Sequence, residues 1–354
     1  MTRCLFVRPA ISSDAMGGDE VVYRRITKYI ASLMELEVLE LAGISRPMQV
    51  LRAAQGNPLE VTRYLSRQNA EALRARLAAS PFDVVCFAHE ATFALSTAVE
   101  DPAIHRVFYA HNTHSLLAAT DPSALGRLMR PIATAFERRW YGDPKAALVC
   151  ISRGDVAGLR AAGVMRDDIY LSPPGAPPTE PLSDQARVIG EAVLTGSYGW
   201  WRKRRDLKTF AAGPPIDAPI LATDPLAVEI LGGQARLVRN EEVDWSLGLR
   251  FGLITDRFLG GFKLKSVEYV ARNCMVLSCC DLSPDFEGLP HAGEFVRLVS
   301  GKAEVAAELR RLSEGPHEDL LARFRLFKAA CLERYRWDAC LQPLGAALTG
   351  RLAA

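Results

Sequence analysis

The sequence begins with the stretch Arg3-Cys-Leu-Phe-Val-Arg8, in which four apolar residues lie between two arginines. A short apolar run bounded by charged residues predicts a buried β-strand over residues 4–7. In residues 19–34, Val22, Ile26 and Ile30 recur at helical spacing. A strand that is followed by a helix is the building unit of a parallel sheet wrapped by helices.

The same alternation continues along the chain and predicts an α/β fold. Further strands are predicted in the first half at 37–41, 83–88, 106–110, 147–151 and 169–171, and in the second half at 192–195, 219–223, 235–238, 252–255, 275–278 and 295–299. Helical stretches separate them, and residues 320–352 are mostly helical. The fold class we expect is therefore two Rossmann-like parallel-sheet domains that face a central cleft.

A proline-rich run, Ser172-Pro-Pro-Gly-Ala-Pro-Pro-Thr-Glu-Pro181, interrupts this pattern. Its prolines cannot sustain a helix or a strand ladder, so the run predicts a stiff connection between domains. The predicted organisation is a first domain at 1–175, a linker at 176–186, a second domain at 187–335, and a C-terminal helix at 336–354 that crosses back to the first domain. Ligands of open α/β sheets bind at the carboxyl ends of the strands.

Composition excludes several classes of protein. With 354 residues, 49% of them hydrophobic, and a net charge of +2, the chain is typical of a globular protein of two domains. Basic residues are not concentrated in one half, so we expect no nucleic-acid partner. No apolar run is long enough to span a bilayer and the N-terminal run is too short for a signal peptide, which favours a cytoplasmic location.

Motifs of several enzyme classes are missing from the sequence. It contains no GxGxxG after the first strand, and no GxxxxGK[ST], GxSxG or HExxH. Its eight cysteines form no CxxC pair, which favours reduced thiols and argues against a zinc ribbon. His111 and His114 are three residues apart, but no cluster of carboxylates accompanies them, so we predict no metal site.

The first candidate ligand site is Met16-Gly17-Gly18-Asp19-Glu20, between the first strand and the first helix. Gly17 and Gly18 lack side chains and would let an acceptor or a phosphate approach the free N–H groups of the helix. The alternative is an ordinary turn between a strand and a helix.

The second candidate is Gly260-Gly261-Phe-Lys-Leu-Lys265-Ser-Val-Glu268, which leads from a strand into a helix. Glycines and a lysine at a helix start suit a diphosphate, and a carboxylate one turn later suits a ribose diol. The alternative is a solvated Lys–Glu pair on a helix surface.

The third candidate is Thr195-Gly196-Ser-Tyr-Gly-Trp-Trp-Arg202-Lys203-Arg204-Arg205, where a glycine turn runs into four basic residues. Such a run would clamp an anion if it faced the same edge of the sheet. The alternative is a solvated charged surface.

The second half of the chain resembles the donor-binding half of GT-B glycosyltransferases, in particular the bacterial family 4, or group 1, enzymes that retain configuration. In that family, a Gly-x-x-x-Trp type of turn supplies Arg or Lys to the donor diphosphate, and here Gly196, Arg202 and Lys203 occupy it. Lys265-Ser-Val-Glu268 resembles the family's downstream Lys-x-x-Glu. The resemblance implies diphosphate binding by Gly260, Gly261 and Lys265, and ribose binding by Glu268.

The first half agrees with the resemblance. Tyr109-Ala-His111-Asn-Thr-His114-Ser115 is similar to the family's His-Asn-x-Glu-Ser strand end, and Glu137 falls where the next helix carries a glutamate. The resemblance implies that His111 is catalytic, as a hydrogen-bond partner of the sugar or a general base. One departure is Gly260, which stands where many retaining members have the first of two glutamates eight residues apart.

These observations predict a metal-independent glycosyltransferase of the hexosyltransferase type, with a UDP- or GDP-sugar as co-substrate and no other cofactor. The resemblance implies a saccharide or lipid-linked acceptor and a role in bacterial surface polysaccharide or glycoconjugate synthesis. The alternatives are an inactive GT-B scaffold or partner subunit, for which Gly260 argues, and a nucleotide-sugar epimerase. Basic and apolar residues mix over 126–141, where contact with the inner face of the cytoplasmic membrane is the alternative to an amphipathic core helix.

Overall fold

The computed structural model describes residues 2–10, 18–121, 123–313 and 317–350. The chain divides into two compact units, which we call unit 1 and unit 2. Unit 1 comprises Met1–Pro174, Gly260–Phe262 and Asp338–Ala354, and unit 2 comprises Gly175–Leu259 and Lys263–Trp337. Each unit contains one six-stranded parallel sheet with helices, which confirms the predicted α/β class.

Unit 1 is built on the strand order β2-β1-β3-β4-β5-β6. The strands are β1 Arg3–Pro9, β2 Glu35–Leu41, β3 Val84–Ala88, β4 His105–Ala110, β5 Ala146–Cys150 and β6 Ile169–Leu171. Its helices are α1 Gly18–Leu33, α2 Arg46–Ala54, α3 Arg67–Ala79, α4 His114–Ala119, α5 Ala124–Trp140 and α6 Arg153–Ala161, with 3-10 turns at Leu59–Tyr64 and Glu90–Ala98.

Unit 2 is built on the strand order β12-β11-β10-β7-β8-β9. The strands are β7 Arg187–Leu194, β8 Ile220–Ala222, β9 Ala235–Leu237, β10 Gly248–Ile254, β11 Cys274–Ser278 and β12 Val296–Leu298. The helices are α7 Trp201–Ala211, α8 Pro225–Leu231, α9 Leu264–Ala271, α10 Ser283–Phe286, α11 Ala292–Phe295, α12 Lys302–Ser313 and α13 His317–Arg334, with 3-10 turns at Gly232–Gln234, Asn240–Glu242 and Trp245–Leu247. The last helix of the chain is α14, Trp337–Leu348.

The apolar cores explain why the strands are where the sequence predicts them. Every residue of β3, β10 and β11 is buried, as expected for strands covered by helices on both faces. In unit 1, the rings of Phe93 and Phe108 stack at 4.5 Å and Tyr141 packs edge-on against Phe93. All eight cysteines are free thiols.

The stretch 126–141, which the sequence marks as basic and apolar, lies within α5 and Tyr141. Phe136, Trp140 and Tyr141 are buried in the core of unit 1, as in an amphipathic core helix. Among the residues that the structure describes, no helix has the length and hydropathy needed to cross a bilayer.

Candidate functional site

In unit 2, the turns that follow two neighbouring strands are hydrogen-bonded to each other at the carboxyl edge of the sheet. The backbone N–H of Gly196, after β7, donates to the Thr223 hydroxyl, after β8, at 3.2 Å. The N–H of Tyr198 donates to the Asp224 carboxylate at 2.6 Å, and Asp224 also caps α8. These bonds hold the β7 turn in a fixed conformation.

Helix α9 is fixed to the same edge by Tyr269. Its hydroxyl accepts a hydrogen bond from the Thr195 N–H at 2.9 Å and donates one to the Leu253 carbonyl at 3.0 Å. Tyr269 therefore joins α9 to the ends of β7 and β10. Lys265 lies one turn earlier on the same helix, so the same contacts place it at the strand ends.

The ammonium group of Lys265 lies against Gly196. Gly196 has φ +88°, and a Cβ at this position would lie 2.7 Å from Lys265 Nζ. The glycine is thus required both by its backbone conformation and by the approach of the lysine. Lys265 Nζ also lies 4.8 Å from the centre of the Tyr198 ring, and no hydrogen-bond acceptor contacts it within the described chain.

Three lysines, Lys203, Lys263 and Lys265, act electrostatically on one buried carboxylate, Asp256, and we call them the lysine cluster. Lys263 Nζ lies 3.5 Å from Asp256 Oδ2. Burial alone would raise the pKa of Asp256, but the three lysines together lower it below its usual value. Burial, and then repulsion by Lys203, lowers the pKa of Lys265 to about 8. Glu268 also acts on Lys265, but it is paired with Arg272, so the three lysines and Asp256 leave an excess of positive charge that suits a phosphate.

The structure separates the roles of the four consecutive basic residues at the start of α7. Lys203 acts electrostatically on both Asp256 and Lys265. Arg202 is buried with its guanidinium 4.7 Å from the centre of the Trp201 ring, and Arg205 forms an ion pair with Asp206 at 3.0 Å. Arg204 is exposed, and its guanidinium donates to the Gly199 carbonyl at 3.4 Å. Of the four, Lys203 is thus the residue that belongs to the lysine cluster.

Glu268 lies on α9 one turn after Lys265 and is partly exposed. Its carboxylate forms an ion pair with Arg272 at 2.8 Å. The sequence allows a solvated pair between Lys265 and Glu268 as an alternative. In the structure, Glu268 pairs instead with Arg272, one turn further along α9. Gly260 and Gly261 precede α9 by three or four residues, so they do not start the helix as the sequence suggested.

In unit 1, the segment that follows β4 is organised around Glu90, a buried carboxylate just after β3. Glu90 accepts hydrogen bonds from the His111 N–H at 3.1 Å, the Asn112 side chain at 3.0 Å and the His114 ring at 3.0 Å. Burial alone raises the pKa of Glu90, but His89, His114 and His111 together lower it below its usual range. The ion pair with Glu90 raises the pKa of His114 despite burial.

His111 is buried in a group of aromatic rings. The centre of its ring lies 5.2 Å from that of Tyr23, 5.3 Å from Tyr109 and 5.4 Å from His89. His89 has φ 78°, a backbone conformation that costs a residue with a side chain about 1–3 kcal/mol. A strained residue beside a buried histidine at a strand end is typical of a functional site.

Two further buried carboxylates hold the same segment in place. Asp155 on α6 accepts hydrogen bonds from the Thr113 N–H at 2.9 Å and from the Gly261 N–H at 3.1 Å. Glu137 on α5, the glutamate that the sequence places on the next helix, accepts one from the Ser115 N–H at 2.9 Å. Burial raises the pKa of both carboxyl groups above their usual values.

Gly260 and Gly261 pack within unit 1. A Cβ at Gly260 would lie 2.6 Å from Leu117, and a Cβ at Gly261, which has φ +67°, would collide with the His111 carbonyl and lie 2.9 Å from the Asn112 side chain. Close packing against protein therefore accounts for the absence of side chains here. Their contact with a phosphate stays a prediction.

We expect Gly261→Ala to lower the free energy of unfolding by about 2 kcal/mol or more, because the new methyl group strains the backbone and meets a carbonyl that cannot yield. Urea unfolding of the variant checks this. Gly233→Ala is the control, since a Cβ there meets no atom within 4 Å and φ is not positive. Equal stability of the two variants would contradict the packing described for Gly261.

Gly17 lies outside the described residues, and Gly18 is the first residue of α1. The approach of a ligand to this glycine pair stays a prediction. Within the part of the chain that the structure describes, no three His, Cys, Asp or Glu side chains are grouped as a metal site would need.

Sequence reasoning missed Asp256, Lys263 and Glu90. Asp256 comes two residues after β10 and Glu90 two residues after β3. A polar residue directly after a buried strand was the available signal, because the carboxyl ends of parallel strands meet at one edge.

Neither models of known protein families nor curated protein sequences match this chain. Its structure is nevertheless similar to solved glycosyltransferase folds along its whole length. Sucrose-phosphate synthase from Thermosynechococcus elongatus has 15% identity, covers 99% of both chains and has a TM-score of 0.68. A glycosyltransferase from Rickettsia africae has 12% identity, covers 99% of this chain and 98% of its own, and has a TM-score of 0.63.

The Anabaena protein HepE, solved in complex with UDP-glucose, is also similar, with 12% identity, coverage of 99% of this chain and 100% of its own, and a TM-score of 0.61. These likenesses confirm the GT-B fold that the sequence motifs implied. At such identities they show the fold, and the chemistry must be argued from this chain's own residues.

Proposed function

We propose that this chain is a glycosyltransferase that moves a sugar from a nucleoside diphosphate donor to a saccharide or lipid-linked acceptor. The observation that carries the proposal is the excess positive charge of the lysine cluster around Asp256, at the carboxyl edge of the unit 2 sheet. An ammonium whose pKa is lowered to about 8 by desolvation and by a neighbouring lysine gains most from an anionic ligand, because the ligand restores the charge that its surroundings disfavour.

The proposed donor is a UDP- or GDP-sugar, and the proposed transfer is of the hexosyl type. The complex of the similarly folded Anabaena protein with UDP-glucose supports UDP as the first nucleotide to test. No other cofactor is proposed. The proposed reaction is independent of metal ions, because Lys203, Lys263 and Lys265 supply the positive charge that a departing diphosphate requires.

In the proposed mechanism, the bond between the sugar and the diphosphate breaks while negative charge builds on the diphosphate. Lys265 and Lys203 stabilise this charge, and Gly196 is a proposed neighbour of the diphosphate because its lack of a side chain lets Lys265 approach the strand ends. Arg202 lies at the start of α7, where its guanidinium is 4.7 Å from the centre of the Trp201 ring. Its contact with the diphosphate is part of the proposal. Gly260 and Gly261 remain proposed neighbours of the diphosphate.

His111 is the proposed catalytic residue, as a hydrogen-bond partner of the sugar or as a general base for the acceptor hydroxyl. Its position at the carboxyl end of β4, held by Glu90, supports this role. Gly17 and Gly18 are proposed to leave room for the acceptor or a phosphate at the start of α1. We further propose a cytoplasmic location with peripheral attachment to the inner face of the membrane, and a role in surface polysaccharide or glycoconjugate synthesis.

Ribose binding by Glu268 can be tested with two nucleotides. We expect Glu268→Ala to weaken UDP binding about tenfold or more, because a carboxylate that accepts hydrogen bonds from the ribose contributes about 1.5–3 kcal/mol. The wild type should bind UDP more tightly than 2′-deoxy-UDP, and the variant should bind both equally. Isothermal titration calorimetry measures all four dissociation constants.

Glu229→Ala is the matched control for this experiment, since Glu229 is an exposed glutamate on α8 of the same unit. It should bind UDP as the wild type does. Undiminished discrimination against 2′-deoxy-UDP in Glu268→Ala would remove Glu268 from the ribose site.

One observation favours a second candidate function, a GT-B scaffold that binds nucleotide without turnover. Gly260 replaces an acidic residue of the related enzymes, and the contact with Leu117 leaves no room for a longer side chain there. A scaffold would bind UDP but would release none from UDP-sugars in the presence of acceptors. Detection of a new glycosidic bond would exclude the scaffold, and interconversion of sugars without transfer would indicate an epimerase.

A further inference from the structure

The edge strand β2 of unit 1, Glu35–Leu41, pairs with β1 on one side and with no other strand of the described chain. It has seven residues, whereas the other three edge strands, β6, β9 and β12, have three residues each. An unpaired edge exposes backbone N–H and C=O groups that can pair with another chain, and proteins usually keep such edges short. The length of this open edge therefore indicates an interaction surface.

The pairing with β1 fixes which backbone groups of β2 point away from the sheet. The Glu35 N–H donates to the Thr2 carbonyl at 3.0 Å, so every second residue from Glu35 directs its N–H and C=O to β1. The N–H and C=O groups of Leu36, Val38 and Glu40 therefore point outward. Within the described chain these groups have no hydrogen-bond partner. Val38, in the middle of the strand, is 37% exposed.

The negative charges of β2 are balanced within the same chain. Charged side chains on an edge strand usually keep a second strand away. Here each glutamate of the strand forms an ion pair with an arginine of β1 or α3: Glu35 with Arg3, Glu37 with Arg76 and Glu40 with Arg8. The edge therefore presents little net charge to an approaching strand.

The strand, Glu-Leu-Glu-Val-Leu-Glu-Leu, is complementary to itself in one antiparallel register. In this register Val38 lies opposite Val38 of a second copy, the outward N–H and C=O groups of the two strands meet, and all residues of β2 are paired. Each glutamate then lies opposite a leucine of the second copy: Glu35 opposite Leu41, Glu37 opposite Leu39 and Glu40 opposite Leu36. No two glutamates face each other directly, which would oppose the pairing.

We propose that two copies of this chain pair through β2 in this register, so that their unit 1 sheets join into one continuous sheet around a twofold axis at Val38. The same strand serves both copies, as a twofold interface requires. Strand addition draws its affinity mainly from backbone hydrogen bonds. We therefore expect a dimer that dissociates on dilution. The inference is independent of the proposed transferase activity, because β2 contains no residue of the candidate donor site.

Sedimentation velocity of the full chain between about 1 and 100 μM tests the proposal, and we expect the wild type to shift from monomer to dimer over this range. Val38→Pro should raise the dissociation constant of the dimer about tenfold or more, because proline removes a hydrogen bond in each direction across the axis. The Val38 N–H makes no bond to β1, so proline is compatible with this edge of the monomer.

Leu298→Pro is the matched control. Leu298 is 61% exposed on the edge strand β12 of unit 2. Its N–H also points away from the neighbouring strand, because the next residue, Val299, donates its N–H to the Ser278 carbonyl of β11 at 2.8 Å. Leu298→Pro should dimerise as the wild type does. Circular dichroism at a concentration where the wild type is monomeric should show that both proline variants are folded.

Two charge variants test the register without proline. Val38→Lys and Val38→Glu should each raise the dissociation constant about fivefold or more, because each places like charges opposite each other at the twofold axis. An equimolar mixture of the two variants should dimerise again, because lysine then faces glutamate. This rescue requires the same position of both copies to meet, which a contact elsewhere on the chain does not.

Three results would overturn the proposal. The first is a wild type that stays monomeric at about 100 μM. The second is a wild-type dimer that Val38→Pro leaves intact, which would place the contact on another surface. The third is a mixture of Val38→Lys and Val38→Glu that associates no better than either variant alone, which would contradict the antiparallel register.

Discussion

Lys265→Met is expected to weaken UDP binding about 100-fold, which corresponds to about 2.7 kcal/mol. Lys265 is the member of the lysine cluster that lies against Gly196 and has no hydrogen-bond acceptor among the described residues. A charge-assisted hydrogen bond from such a group to a phosphate is worth about 1.5–3 kcal/mol. Isothermal titration calorimetry with UDP measures the change.

The same lysine gives UDP binding a defined pH dependence. The pKa of Lys265 is about 8 in the free protein, and a bound diphosphate raises it. Binding near pH 8 should therefore take up about half a proton, seen as a dependence of the binding enthalpy on the buffer. Above pH 8 the dissociation constant should rise up to about tenfold per pH unit until the pKa of the complex is reached. Lys265→Met should show neither effect.

Lys208→Met is the matched control, because Lys208 is an exposed lysine on α7 of the same unit. It should bind UDP as the wild type does, with the same proton uptake. If Lys265→Met bound UDP with wild-type affinity, the diphosphate would have to lie elsewhere in the protein.

Glu90→Gln is expected to lower the free energy of unfolding by about 3–5 kcal/mol, the usual cost of removing one partner of a buried ion pair. Glu90 holds the His111 N–H, Asn112 and His114 together, and its replacement leaves the buried His114 without its counter-charge. Urea unfolding measures the loss. The control is Glu71→Gln, because the Glu71–Arg67 pair is exposed and should change stability by less than about 1 kcal/mol.

The stability that Glu90→Gln loses should depend on pH, because the pKa values of Glu90 and His114 are shifted in opposite directions. The pKa of Glu90 is lowered from 4.5 in the folded state, so its contribution is complete above pH 4.5 and is lost as the pH falls. The pKa of His114 is raised from 6.5, so its contribution is complete below pH 6.5 and is lost as the pH rises. The difference between wild type and Glu90→Gln should therefore be larger at pH 5.5 than at pH 8. A difference that does not change with pH would mean that the two side chains are not an ion pair.

The sequence predicted each strand that the described residues contain, because most of these strands hold a short apolar run, which in β3 and β11 is continuous and buried on both faces. The largest error is the start of β7, which begins at Arg187 rather than at residue 192. Glu191 obscured it, because this glutamate pairs with the buried Arg250 of β10 at 3.0 Å. Such a pair between neighbouring strands has no signature in either strand alone.

The candidate donor site was predictable where its residues are close in sequence and less so where they are not. Gly196, Lys203 and Lys265 are marked by glycine turns and basic residues next to strands. Asp256 is a solitary acid whose importance depends on the three lysines that fold around it. Gly261 lacks a side chain because His111 and Asn112, about 150 positions earlier, pack against it. The sequence does not reveal so distant a contact, and a bound ligand was therefore the only explanation that it suggested.

The most direct test of the proposed donor site is a thermal-shift panel of UDP, GDP and ADP on the wild-type chain at millimolar concentration. A nucleotide present at 100 times its dissociation constant stabilises the folded state by about 2.7 kcal/mol, which gives a clear rise in melting temperature. We predict that UDP or GDP produces this rise and that Lys265→Met abolishes it. If no nucleoside diphosphate raises the melting temperature of the wild type, the lysine cluster does not bind a nucleotide donor and the proposed transferase activity is contradicted.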